Sequence, residues 1–581
     1  MQYERWIRGA VCGTLATCGL FFSGCSAMVG EDAATNGGSA TMAMGSDAQP
    51  NRQTSNKNYK ADASGGGMYA GADTVAGADV GAGAPAAPTD ESQGIGLKPG
   101  GAQDINFFRQ KVGMANLPKP GDMTLEGWLN EHDTVLPKAL PDRVVTLHAL
   151  AAMIQPPPPA TTANAEFVLQ VGLNSGKKLS DVTDPISLTV VLDRSGSMAG
   201  DKMAFVKTGL HALVAQLPAS TRFSFVSFSS NATTDLQPTD MAENNKNQAD
   251  ATIDKQTADG GTNISGGLEL GLAACKSAGA DYKIRRILFL SDGLPSAGNT
   301  DPQYILTLAK QAAAAGCSVS TVGVGFDFDP QLMTGIAQNG GGTGWFLPNG
   351  ATAKQVFVQD LETLLLPVAQ KLTLQFQLAN GWKAGEIYGF DWVQEGNLVT
   401  IKGPKQAKAD PNGQVDPPPP PDPDAPQAAM PTLFASKRNG LVMVKLLPPA
   451  DVKVDDLSNL LMATVKYSYT LAKSDKVESF EVPVQVPGMF AIPDGGLAYF
   501  ASPIVHRAWM LLRAGLALQG AVEQAQKGDL AAAKAGLDSA LALLAAHKAL
   551  MTPADLAVVD ASQPDLADAA KLLGDLAVLV K

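Results

Sequence analysis

ISLTVVLDRSGSM, residues Ile186 to Met198, opens as an unbroken run of aliphatic and β-branched residues and stops at Asp193. Such a run, with no polar alternation, predicts a strand covered on both faces, as in a parallel α/β sheet. Asp193, Ser195 and Ser197 follow where the strand ends. Open parallel sheets bind ligands outside the carboxyl ends of their strands, at the point where the strand order reverses. A carboxylate and two hydroxyls, without sulfur or imidazole, are donors for a hard divalent cation.

Other strand-end chemistries fit less well. A phosphatase of the haloacid dehalogenase type needs a second carboxylate two residues after the first, as general acid, and Ser195 stands there. A hydrolase nucleophile elbow needs glycine two residues to either side of its serine, where this chain has Asp193 and Ser197. An inert Ser/Gly turn would account for Asp193 alone.

Two further stretches match the first. Thr262 stands in DGGTNISGGL (Asp259 to Leu268) at the mouth of a predicted helix, and Asp292 ends the buried run in RRILFLSDG (Arg285 to Gly293). With Asp193-x-Ser195-x-Ser197, these positions resemble the metal-ion-dependent adhesion site of the von Willebrand factor A-type (vWA) domain. The resemblance implies a doubly wound, Rossmann-like α/β domain over residues 184–366. In strand order 3-2-1-4-5-6, the strands ending in Asp193 and Asp292 are neighbours. It also implies Mg²⁺ (alternatively Mn²⁺ or Ca²⁺) ligated directly by Ser195, Ser197 and Thr262, with Asp193 and Asp292 acting largely through water. The expected partner is a protein offering an Asp or Glu carboxylate.

Periodicity places the other elements of this domain. Met203, Val206, Leu210, Leu213, Val214 and Leu217 share one face of a predicted helix from Lys202 to Leu217. Arg222 to Ser230 reads as a strand and Thr233 to Thr239 as an edge strand. Helices are expected over Ile264–Ala278 and Pro302–Ala315, strands over Ile287–Leu290 and Ser318–Gly325, and a closing helix near Lys354–Leu365.

The chain of 581 residues allows about three or four domains. A net charge of −12 with scattered basic residues argues against nucleic acid as a partner. Residues 1–25 carry Arg5 and Arg8, a short apolar stretch and then Phe22-Ser23-Gly24-Cys25, which resembles the lipobox of bacterial lipoproteins with Phe22 where Leu is usual. This makes Cys25 the expected lipidation site; ordinary secretion with cleavage elsewhere is the competing reading. Residues 26–101 are poor in large apolar side chains and predict a disordered tether.

Residues 102–183 read as a helical/β segment. INFFRQKVGMANLPKPGDMTLEGWLNEHDTVLP within it resembles the helical segment before the A domain in a group of bacterial A-domain proteins, and AEFVLQVGLNSG after a polyproline break at 156–159 reads as a strand. Residues 367–490 alternate apolar and polar in short β runs, predicting an accessory β-sandwich-like domain with a Pro-rich insert at 410–431, open to completion by the strand before the A domain. Residues 503–581 are Ala- and Leu-rich and predict a small helical bundle, with His506 and His547 as solvated positions. Of five cysteines, only Cys275 and Cys317 lie in the folded body; a disulfide and two buried thiols are both compatible with their positions.

The functional expectation is a bacterial cell-envelope lipoprotein, at the outer membrane or cell surface, whose A domain binds a protein through a divalent metal. No phosphate-binding Gly-Lys-Ser/Thr loop and no evident general base accompany the site, so no catalytic residue is expected. The alternative is an accessory subunit of an envelope complex or enzyme, its metal site structural or regulatory.

Overall fold

Burial on both faces is what the Ile186–Asp193 strand achieves: all eight of its residues are buried. The computed structural model describes residues 95–99, 105–132, 136–141, 143–154, 166–175, 185–279, 281–282, 284–348, 357, 367–405, 430–436, 440–449, 460–471, 476–486, 499–500, 502–560 and 565–581. The predicted signal segment with Cys25, the tether up to residue 94, the polyproline break, the 354–365 helix apart from Phe357 and the Pro-rich insert up to residue 429 lie outside the described residues.

Among the described residues the A-domain sheet has six strands, in the spatial order Ala232–Asp240, Arg222–Phe228, Ile186–Asp193, Ile284–Ser291, Cys317–Val324, Gly341–Leu347. In chain order this is 3-2-1-4-5-6, as expected, and only the edge strand Ala232–Asp240 runs antiparallel. Helix Asp201–Gln216 buries Met203, Val206, Leu210, Leu213 and Val214 against one face, the stripe its spacing predicts. Helices Ile264–Lys276 and Pro302–Ala314 cover the other face, around Val191, Phe228, Ile287 and Phe289.

Helices Glu243–Asp254 and Pro330–Gly340 and the sixth strand, Gly341–Leu347, were not legible in the sequence. The strand begins GGTG, which carries no β signal. A Cβ on Gly342 would sit 2.0 Å from the Val319 carbonyl oxygen, so close backbone approach, not propensity, sets that residue.

Cys275, near the end of helix Ile264–Lys276, and Cys317, at the start of its strand, form a disulfide with Cα atoms 6.3 Å apart. The alternative of two buried thiols is thereby set aside. The body from residue 26 onward should show no titratable thiol under denaturing, non-reducing conditions; two thiols would rule out the bridge.

Among the described residues the β-rich region is one branched antiparallel sheet of twelve strands, and its membership departs from the predicted boundaries. Glu166–Ser175 pairs with Gly440–Leu447 and with Thr146–Ile154, so the segment before the A domain completes the sheet that follows it. Ile95–Pro99 pairs with Glu166–Ser175 and Met430–Ser436, which ends the tether before residue 101 and turns the last residues of the Pro-rich insert into strand. Tyr499–Phe500 joins beyond residue 490. Strands this short carry too few alternations to register as such in composition.

A second departure joins the segment before the A domain to the C-terminal helices. Helices Asn106–Gly113 and Leu125–Glu131 share a core with the C-terminal helices Pro503–Gln526, Leu530–Leu550 and Asp565–Leu579. Trp128 is fully buried there and its indole N–H donates to the Leu511 carbonyl at 2.7 Å, while Arg109 pairs with Asp568 at 2.9 Å. Leu530–Leu550 is long and apolar enough to cross a membrane by length and composition, but it buries Ala533, Leu537, Ala540 and Leu544 in this bundle. The expectation that His506 and His547 are solvated is corrected for His506, which is buried with its Nε2 3.0 Å from Nδ1 of the half-buried His547 at the seam between their helices.

Candidate metal centre

The switch point of the six-stranded sheet places Asp193 and Asp292 at adjacent strand ends, both fully buried. Asp193 is oriented by its own turn: Oδ1 accepts the Ser195 N–H at 2.7 Å and Oδ2 accepts the Ser291 hydroxyl at 2.5 Å. Burial pushes its carboxyl up to about 6, against hydrogen bonds from Ser291 and Ser195 that pull it down, and the charge of Asp292 adds to the rise. Ser195 Oγ lies 3.0 Å from Ser197 Oγ, and Ser197 donates to Asp292 Oδ1 at 2.8 Å.

Thr262 is delivered by a loop stitched to the first strand. Asp259 N–H donates to the Arg194 carbonyl at 2.7 Å, the Arg194 guanidinium pairs with the Asp259 carboxylate, and Gly196 N–H donates to the Gly260 carbonyl at 3.0 Å. The Thr262 N–H donates to Ser296 Oγ at 2.9 Å, and its carbonyl accepts from the Ser296 and Ala297 N–H groups. Asn263 then caps helix Ile264–Lys276 by accepting the Gly266 N–H at 2.9 Å. A Cβ placed on Gly293 would lie 3.2 Å from Thr262 Oγ1 and 3.6 Å from Ser197 Oγ, so both hydroxyls flank the residue that follows Asp292.

All five sequence-predicted residues therefore meet at one crest of the sheet. Among the described residues no group of three or more His, Cys, Asp or Glu gathers as a ligand set. The cluster consists of two carboxylates and three hydroxyls, an all-oxygen donor set that fits Mg²⁺ and its hard relatives. The buried Asp193 carboxylate, whose proton affinity burial and the neighbouring charge of Asp292 raise, would gain from a cation beside it.

Three neighbours were missed in the sequence. Ser291 fixes the Asp193 carboxylate, and Lys202 donates to Asp292 Oδ2 at 2.6 Å and to Asp327 Oδ2 at 3.0 Å. Lys202 had a readable signal, since it sits in the first turn of the helix that leaves the Ser195–Ser197 loop. Asp327 had none, because the loop after the Cys317–Val324 strand reaches the site only through sheet order.

Sheet order, strand-end acids and the threonine loop together define a protein of the A-domain class. Residues 187–359 match the family model for the von Willebrand factor type A domain, and the chain is a vWA-domain protein. It is 26% identical over 226 residues to the uncharacterized protein YfbK of Escherichia coli, covering 39% of this chain and 39% of that one. It is 30% identical over 167 residues to the inter-alpha-trypsin inhibitor heavy chain H4 of Bos taurus, covering 28% of this chain and 18% of the other. The chain thus spans less than half the length of these curated relatives. Among solved structures, the von Willebrand factor type A protein from Catenulispora acidiphila aligns with a TM-score of 0.48 at 14% identity, over 70% of this chain and 87% of its own.

Proposed function

We propose that this protein is a lipid-anchored component of a bacterial cell envelope whose A domain captures a protein partner through a divalent cation, with Mg²⁺ the first choice. The observation that carries the reading is the convergence of Ser195, Ser197, Thr262, Asp193 and Asp292 at the switch point, an arrangement with no evident use in holding the sheet together. vWA domains mediate protein–protein interactions, and they commonly do so around a bound divalent ion.

In this reading Ser195, Ser197 and Thr262 hold the cation directly, and Asp193 and Asp292 act through water. A bound cation supplies a Lewis-acidic position for an Asp or Glu carboxylate of the partner. The remaining work belongs to the chain. Ser291 and the Ser195 N–H fix Asp193 as an acceptor, Ser197 and Lys202 fix Asp292, and the hydrogen-bonded 259–263 loop keeps Thr262 at the crest. We read the role as binding and not catalysis, supported by the four hydrogen bonds that hold both carboxylates in fixed orientations as acceptors.

The test is capture from a solubilised envelope extract, with Mg²⁺ and with chelator. A partner retained only with Mg²⁺ is expected; equal retention in both would overturn the reading. The anchor is tested separately. Cys25→Ser should move the protein from the membrane fraction to the soluble fraction, and unchanged fractionation with an unprocessed mass would count against lipidation.

A further inference from the structure

Lys202 is the cation nearest the cluster, and the fold is built to keep it there. Its ammonium bridges Asp292, whose side chain is 0% exposed, and Asp327, whose side chain is 77% exposed, while the lysine side chain itself is 20% exposed. Its aliphatic stem crosses Gly325: a Cβ there would meet Lys202 Cε at 2.7 Å and Cδ at 3.4 Å. Gly325 also has φ +72°, and its N–H donates to the Leu347 carbonyl at 2.9 Å, so the backbone beneath the stem is fixed by the sixth strand. The loop bearing Asp327 is held in turn from outside the domain. Phe107, on the helix near the N-terminus, packs its ring 5.0 Å from Phe328, 5.0 Å from Phe346 and 6.1 Å from Phe326.

The Lys202 ammonium donates to Asp292 at 2.6 Å and to Asp327 at 3.0 Å, so two carboxylates hold in place the positive charge a lysine ordinarily carries. The charge balance of the loaded centre then has a definite sign. A divalent ion beside Asp193 and Asp292 is neutral overall and Lys202 adds one positive charge; Asp327 opposes it only from the rim, where its 77% exposed side chain is screened by solvent. A neutral centre takes an amide or hydroxyl oxygen about as readily as a carboxylate, whereas a cationic one favours the carboxylate.

We propose that Lys202 is the specificity-setting residue of this site: by holding one oxygen of Asp292 and offsetting its charge, it keeps the loaded centre cationic and selects an anionic carboxylate ligand, with Asp327 moderating that charge from the rim. The proposal rests on the metal-centre reading above and extends it to how the ligand is chosen.

The experiment uses the partner-free protein with Mn²⁺ as the ion and acetate as the carboxylate probe. Free Mn²⁺ is read by electron paramagnetic resonance, and acetate entry by loss of water-proton relaxation from bound Mn²⁺. Lys202→Met removes a cation that repels the ion and competes for Asp292, so Mn²⁺ should bind about tenfold more tightly while acetate binds the loaded site about tenfold more weakly. A purely structural lysine would not move the two affinities in opposite directions. Lys202→Arg keeps the charge and should restore both values towards wild type, and Asp327→Asn should shift both in the sense opposite to Lys202→Met. Unchanged or weaker Mn²⁺ binding by a folded Lys202→Met variant, or unchanged acetate affinity, overturns the role of Lys202 while leaving the metal centre intact. Absence of Mn²⁺ binding in the wild type overturns both together.

Discussion

Asp193→Ala should abolish metal-dependent binding while leaving the fold in place. Loss of outer partners of a metal site typically costs about 10–100-fold in affinity, so removing an acid at its centre should exceed about 100-fold. The structural cost is small by comparison. The substitution leaves the Ser195 N–H and the Ser291 hydroxyl without their acceptor, a penalty of about 1–3 kcal/mol for a buried group. Against that, it removes a carboxylate that burial already disfavours in its charged form. Thr262→Ala and Asp292→Ala should give the same phenotype, and combinations with Asp193→Ala should add little, as expected for residues that serve one site. Partner affinity in Mg²⁺ and in chelator, with circular dichroism as the folding control, checks this. Full binding by a well-folded Asp193→Ala variant would sink the mechanism and move attention to the branched sheet or the helical module.

The second large effect is acid sensitivity of the helical module. His132 is buried at the end of helix Leu125–Glu131, its Nδ1 is 2.6 Å from the Trp128 carbonyl, and its Nε2 is buried with no hydrogen-bond partner. The ring must donate through Nδ1–H to that carbonyl, which leaves a neutral imidazole in an apolar setting. Burial lowers its pKa to about 4; the Trp128 carbonyl and Glu131 pull it upward, and Arg109 and Arg507 add to the depression. His506 is lowered to about 4 as well, by burial and then by the neighbouring His547.

Because the folded pKa lies below the unfolded one, the unfolded chain binds the extra proton as the medium acidifies. The stabilising contribution is complete above pH 6.5 and is lost as pH falls from there through about 4. For His132 the loss amounts to about 3 kcal/mol at the acid end. The midpoint of helix unfolding, followed by circular dichroism, should therefore drop between pH 7 and 4.5, and the double variant His132→Gln, His506→Gln should flatten that drop. An equal slope in the variant would show that other groups carry it.

The cluster of oxygen donors is legible in the sequence because its parts are local. An apolar run ending in Asp193-x-Ser195-x-Ser197 announces both the buried strand and its oxygen donors within one stretch, and Thr262 and Asp292 repeat the pattern at a helix mouth and a second strand end. Strand order came with the resemblance to the vWA fold and not from these stretches themselves, since doubly wound sheets occur in more than one order. The helical stripe from Met203 to Leu217 is equally readable, since its period is set by one element alone.

Tertiary structure decided what depends on pairing across long separations. Nothing in the five residues Ile95–Pro99 states that they will lie between Glu166–Ser175 and Met430–Ser436, because an alternating or short apolar run specifies which face is buried and not which strand lies beside it. The same holds for Trp128, whose indole finds a carbonyl 383 positions along the chain, and for His506, a polar residue buried at the seam between two helices against His547. Lys202 is the sharpest case. Sequence placed it on the helix that follows the metal loop, but only the packing of the 325–328 loop over its stem and the burial of Asp292 beneath it turn a surface lysine into a fixed charge of the site. Composition and period are set within a segment; the electrostatic surroundings of a side chain are set by whichever distant segments the fold brings against it.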